Sequence, residues 1–107
     1  MLARAVLIAW LILLSAPVLA DIENPRRQEL VNLLRQDCGS CHGMTLQGGL
    51  GPPLTAAALS GKRTEYLRAV ILDGRAGTPM PPWRPFISES EASWMVDMLK
   101  RGAVSDR

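Results

Sequence analysis

Cys38-Gly39-Ser40-Cys41-His42-Gly43 contains both cysteines and the single histidine of this 107-residue chain. Three chemistries use two cysteines at this spacing: structural zinc binding, a redox dithiol and covalent haem attachment. Zinc wants four ligands, usually from two separated pairs, and no second Cys or His pair completes the set. A thioredoxin-type dithiol expects a strand-helix-strand context. Here the residues before Cys38 read as helix and those after His42 as glycine-rich loop. A plain disulfide closing so short a loop would constrain the unfolded chain little. Cys-x-x-Cys-His accounts for all three residues together, because the thiols add to the haem vinyl groups as thioethers and the adjacent imidazole reaches the iron. The expectation is one covalently bound haem c on Cys38 and Cys41, with His42 as an axial ligand.

The amino terminus agrees with this through compartment. Arg4 precedes an apolar run over residues 5–14, and Val18-Leu19-Ala20 suits a signal peptidase. The apolar stretch is short for a bilayer span and Pro17 interrupts it. The chain therefore reads as a signal peptide over residues 1–20 and one periplasmic monohaem domain over residues 21–107, with no membrane attachment after cleavage. A domain this small commonly needs a staple, which a covalent haem would supply. The formal net charge is only +2, and cleavage removes Arg4. With no dense basic patch, nucleic acid is a poor candidate for the partner.

The remaining pattern is helical, without alternating strands. Asn24-Pro25 reads as an N-cap followed by proline at the first helical position, opening a helix through Cys38 with Leu30, Leu34 and Cys38 on one face. Residues 43–54 are too rich in glycine and proline for a helix interior. Short helices follow over residues 55–59 and 64–73, the second closed by Gly74. A second irregular loop spans residues 74–83. The last helix opens on a Ser88-x-x-Glu91 capping box, carries Ala92, Met95, Val96 and Leu99 on its apolar face, and stops at Gly102. The first and last helices are expected to cross and pack, with the loops wrapping the haem.

With no second histidine, a sixth protein ligand falls to methionine, whose soft thioether favours ferrous iron. Met44 is too near His42 in sequence to reach the opposite haem face, and Met95 and Met98 sit at helical spacing on a face that reads as core. Met80 lies in Thr78-Pro79-Met80-Pro81-Pro82-Trp83, where three prolines fix backbone angles and remove amide donors. Such a loop can present one side chain rigidly; a hydrophobic plug in a surface loop is the alternative. The other ring N–H of His42 needs an acceptor, and the Pro52 carbonyl is a candidate, beside the alternative of an ordinary turn. Trp83 and Arg75 are candidates for packing around the haem propionates, and Lys62, Arg63, Arg68, Arg75 and Arg84 for a positive rim. The only histidine is assigned to iron, so no catalytic set competes with this reading.

These residues resemble class I cytochromes c over nearly the whole predicted mature chain: an amino-terminal helix, Cys38-x-x-Cys41-His42, Gly51-Pro52-x-Leu54, Met80 in a proline-bearing loop and a carboxy-terminal helix. The resemblance implies an all-α class I cytochrome c fold, His42 and Met80 as axial ligands, and the Pro52 carbonyl receiving the histidine N–H. A closer resemblance is to the small NirC-like cytochromes encoded with the d-type-haem nitrite reductase of denitrifying bacteria. It rests on residues 33–43, on Gly48-Gly49-Leu50-Gly51-Pro52, on residues 74–83 and on Ser88-Glu89-x-Glu91-Ala92. It implies periplasmic single-electron delivery to that nitrite reductase through transient docking, or an accessory part in d-type haem biosynthesis or maturation. A haem sensor with a displaceable sixth ligand is the remaining reading.

Overall fold

The computed structural model of the chain describes residues 22–104; the expected signal peptide, residues 1–20, lies outside them. Among the described residues there is no strand. In order come α1 (Asn24–Leu33), a π-helical turn (Leu34–Cys38), α2 (Gly39–His42), α3 (Ala56–Leu59), α4 (Thr64–Asp73) and α5 (Glu89–Lys100). Helix α1 begins one residue earlier than the sequence suggests. Glu23 is the N-cap, in an extended conformation, and Pro25 falls in the first turn, where its missing N–H leaves no bond unmade.

The helix does not end at Cys38. It widens into the π turn and continues through α2 to His42. A π turn inserts one extra residue, and one residue corresponds to a rotation of about 100° around a helix axis. Leu30 and Leu34 therefore stay in the core and Cys38 packs half-buried against it, while the turn carrying Cys41 and His42 is re-aimed. Gly43 then breaks the helix at φ +95°, where an added Cβ would fall 2.6 Å from the Gly48 carbonyl oxygen. Only glycine fits that corner.

The last helix is built as its sequence indicates. Ser88 Oγ accepts from the Glu91 N–H at 3.1 Å, and Glu91 Oε1 accepts from the Ser88 N–H at 2.9 Å. Ala92, Met95, Val96 and Leu99 are buried. Met98 is half-buried at the edge of the core. Helices α1, α3 and α4 all pack on α5, and the most extensive of these contacts is that of α4. The first and last helices meet, and the middle helix completes the core between the two loops.

One side chain ties the start of α1 to the start of α5. The Arg26 guanidinium hydrogen-bonds Glu91, donates to the Phe86 carbonyl at 2.9 Å and reaches Glu29 Oε2 at 2.9 Å. The Arg26 hydrogen bond holds the Glu91 carboxyl down at about 2, helped by the Ser88 N–H and opposed by partial burial. A depressed carboxylate contributes stability above its unfolded value, and that stability is lost as pH falls through the folded value. Glu91→Gln should therefore destabilise the fold at pH 7 by about 1 kcal/mol, since Arg26 stays partly solvated. Urea titrations across the acid range should show the difference from wild type shrinking between pH 4.5 and about 2.

Candidate functional site

Cys38, Cys41 and His42 occupy the last turns of the amino-terminal helix. Both thiols are unpaired, Cys38 half-buried and Cys41 exposed. Burial pushes the Cys38 thiol up to about 11, and the neighbouring Asp37 charge adds to the effect. His42 Nδ1 lies 2.7 Å from the Pro52 carbonyl oxygen. A carbonyl can only accept, so Nδ1 carries the proton of the neutral ring and Nε2 keeps its lone pair.

The loop over residues 43–54 makes this contact by folding back on the helix end. The C-terminal carbonyls of a helix have no partner within it, and here loop amides supply partners. Gly51 N–H donates to the Cys41 carbonyl at 2.7 Å and Gly48 N–H to the His42 carbonyl at 2.8 Å, while Leu54 N–H closes the loop on Leu46 at 2.8 Å. Leu46 pins the loop by burying its side chain, although its φ of +59° is costly for a residue with a Cβ. Backbone and imidazole are in close contact: a Cβ on Gly51 would sit 2.7 Å from both Cε1 and Nδ1 of His42. Gly51 makes room for the ring.

Met80 is half-buried in the loop that follows α4. Its amide donates to Thr78 Oγ1 at 3.3 Å, and its carbonyl accepts from Arg75 N–H at 3.3 Å. Gly74 turns at φ +69°, and a Cβ there would meet the Met80 carbonyl oxygen at 2.6 Å. The other methionines are placed differently. Met95 is fully buried in α5, and Met44 is largely exposed, its Sδ folded over Gly39. Trp83 packs on the core and meets Phe86 edge to face, with ring centroids 6.2 Å apart. Arg75 is exposed, and two members of the expected positive rim are paired locally, Arg84 with Asp73 and Arg63 with Glu65.

Residues 25–99 match the family model described as cytochrome C oxidase, cbb3-type, subunit III. The chain is 53% identical over 90 residues to cytochrome c55X of Paracoccus denitrificans (strain Pd 1222), an alignment covering 83% of this chain and 87% of that one. A solved c-type cytochrome NirC superposes with a TM-score of 0.77 at 50% identity, covering 79% of this chain and 100% of its own. The chain belongs to the NirC-like small c-type cytochromes. A further solved structure, dihydro-heme d1 dehydrogenase NirN in complex with DHE, matches 64% of this cytochrome but only 15% of its own chain, at 36% identity and a TM-score of 0.59.

Haem c binding belongs to the family, and the donors present in this cytochrome fit it. They comprise two unpaired thiols within one helical turn, an imidazole with its Nε2 lone pair available, and a thioether on a separate loop. No helix among the described residues is long and apolar enough to cross a membrane. Two parts of the site went unread in the sequence. The contact of Gly51 with the ring could have been suspected from a glycine beside the acceptor proline, whereas the Asp73–Arg84 pair had no local signal. Gly51→Ala should force the ring or the loop to move, an overpacking cost of about 1–3 kcal/mol. For a domain of this size that lowers the melting temperature of the haem-loaded protein by at least about 4 °C, as a thermal melt followed in the haem absorption would show.

Proposed function

We propose that this cytochrome is a periplasmic single-electron carrier with one covalently bound haem c, delivering electrons to the d-type-haem nitrite reductase of denitrification. The observation that carries the reading is the 2.7 Å contact of His42 Nδ1 with the Pro52 carbonyl, which leaves Nε2 for iron beside a Cys-x-x-Cys pair. Cys38 and Cys41 would form the thioethers, and His42 and Met80 would be the two protein ligands of the iron. Pro52 fixes the tautomer and orientation of His42. When bound, haem c supplies a one-electron iron couple. Two protein ligands leave no position for a substrate, and the methionine thioether raises the potential. The prolines around Met80 limit how far the ligand moves between oxidation states. Docking to the reductase is small and transient, as redox encounters are. The resemblance to cytochromes encoded with that reductase supports the choice of partner.

A second reading has its own support. A segment of a protein named for dehydrogenation of dihydro-heme d1 is similar to this chain, which favours a part in d-type haem maturation. Deleting the gene separates the two. The carrier reading expects the reductase to retain its full d-type haem while nitrite reduction with physiological donors falls, and the maturation reading expects d-type haem to be lost.

The ligand assignment is tested by spectroscopy of the haem-loaded protein. The wild type should show a ferric thioether charge-transfer band and no prompt carbon monoxide complex in the ferrous form. Met80→Ala should lose the band and bind carbon monoxide readily. A wild type that binds carbon monoxide at once would instead favour a sensor with a displaceable ligand.

A further inference from the structure

The loop that carries Met80 leaves α4 at Asp73 and returns to the same helix end. Gly74 N–H donates to the Val70 carbonyl at 2.9 Å. Beyond the loop, Trp83 N–H donates to Ile71 and Arg84 N–H to Leu72, both at 3.0 Å. These are C-terminal carbonyls that helix α4 cannot satisfy by itself, so the two ends of the loop close across a single helical turn. One side chain then spans the junction. Arg84 donates from Nε to Asp73 Oδ1 at 2.8 Å, and its Nη2 lies 2.8 Å from the same oxygen. Its Nη1 lies 3.6 Å from Glu89 Oε1 at the start of α5.

Asp73 is an unfavourable last residue for a helix, because its carboxylate faces the negative end of the macrodipole. The guanidinium of Arg84 offsets that charge. Within the loop the hydrogen bonds are few and local: Thr78 N–H and Oγ1 to the Arg75 carbonyl at 3.1 and 2.8 Å, and the two made by Met80. With so few bonds inside the loop, the way its two ends are held bears directly on how firmly Met80 is placed.

We propose that Asp73 and Arg84 form a clamp that keeps the Met80 loop closed and thereby sets how long Met80 stays on the iron. The proposal rests on the reading of Met80 as an axial ligand, and Arg84 acts in it as a positioning residue. The side chains of Arg84 and Asp73 are 52% and 57% exposed, so their pairing contributes little to global folding. Local opening of a loop held by so few bonds depends on it much more.

The test mixes ferric, haem-loaded protein with imidazole at concentrations where the rate has become independent of imidazole, so that departure of Met80 is what is timed. Arg84→Ala and Asp73→Ala should each raise this limiting rate by about two- to fivefold, the range open to an exposed ion pair. The double variant should be no faster than the faster single one. Arg84→Lys, which keeps the charge but loses the guanidinium fork, should fall between wild type and Arg84→Ala. Amide exchange at Trp83 and Arg84 in the ferrous protein should rise by the same factor in Asp73→Ala, with the urea midpoint little changed.

An Arg84→Ala protein with an unchanged limiting rate, or single effects that multiply in the double variant, would overturn the clamp. Met80→Ala separates that failure from failure of the ligand reading. If it binds imidazole no faster than wild type, the proposal falls together with the ligand reading. If it binds fast while Arg84→Ala matches wild type, the clamp alone is wrong.

Discussion

A histidine at the end of a helix holds one ring orientation only when something outside the helix meets its second nitrogen. Here the Pro52 carbonyl does so, 2.7 Å from His42 Nδ1, and much of the local architecture serves that contact. The π turn re-aims the last turn of the helix, and Gly43 lets the chain reverse. Gly51 lets backbone lie against the imidazole. Amides of the returning loop cap carbonyls that the helix end leaves bare. The same bonds thus finish the helix and orient the ring.

The Met80 loop is built by the same principle. Trp83 and Arg84 donate to the last carbonyls of α4, as Gly48 and Gly51 donate to those of α2. The two candidate ligands therefore sit where irregular chain is tied to a helix end, His42 as the last residue of α2 and Met80 in the loop after α4, and the helices are held together by burial of Leu30, Leu34, Leu72 and Met95 among other apolar side chains. Rigid supports with short, proline- and glycine-rich connections suit electron exchange, where small ligand movement between oxidation states matters more than an open position for substrate.

How much of this could be read from sequence depended on how local the chemistry was. Cys38-x-x-Cys41-His42 points to haem c, which the family binds, because its candidate donors are neighbours in sequence. The Ser88–Glu91 capping box is equally local, and both of its hydrogen bonds are present. Gly74 marked the end of α4 because few other residues adopt its backbone angles. The π turn left no mark, since Leu34-Arg35-Gln36-Asp37-Cys38 has ordinary helical composition. The Arg26 link to Glu91 joins residues 65 positions apart, and the Arg84 link to Asp73 joins residues 11 apart. Neither has a periodicity to betray it: from sequence Arg84 is a candidate for a positive rim, and Arg26 carries no reading.

In the proposed assignment His42 and Met80 would both hold the iron, with His42 oriented by the Pro52 carbonyl. The most direct measurement is the proton NMR spectrum of the ferrous, haem-loaded protein. That assignment should give a diamagnetic spectrum in which one methionine methyl, that of Met80, is displaced far upfield by the haem ring current, and a His42 Nδ1 proton slow to exchange with water. A paramagnetic, high-spin ferrous spectrum, or an upfield methyl that survives Met80→Ala, would contradict it.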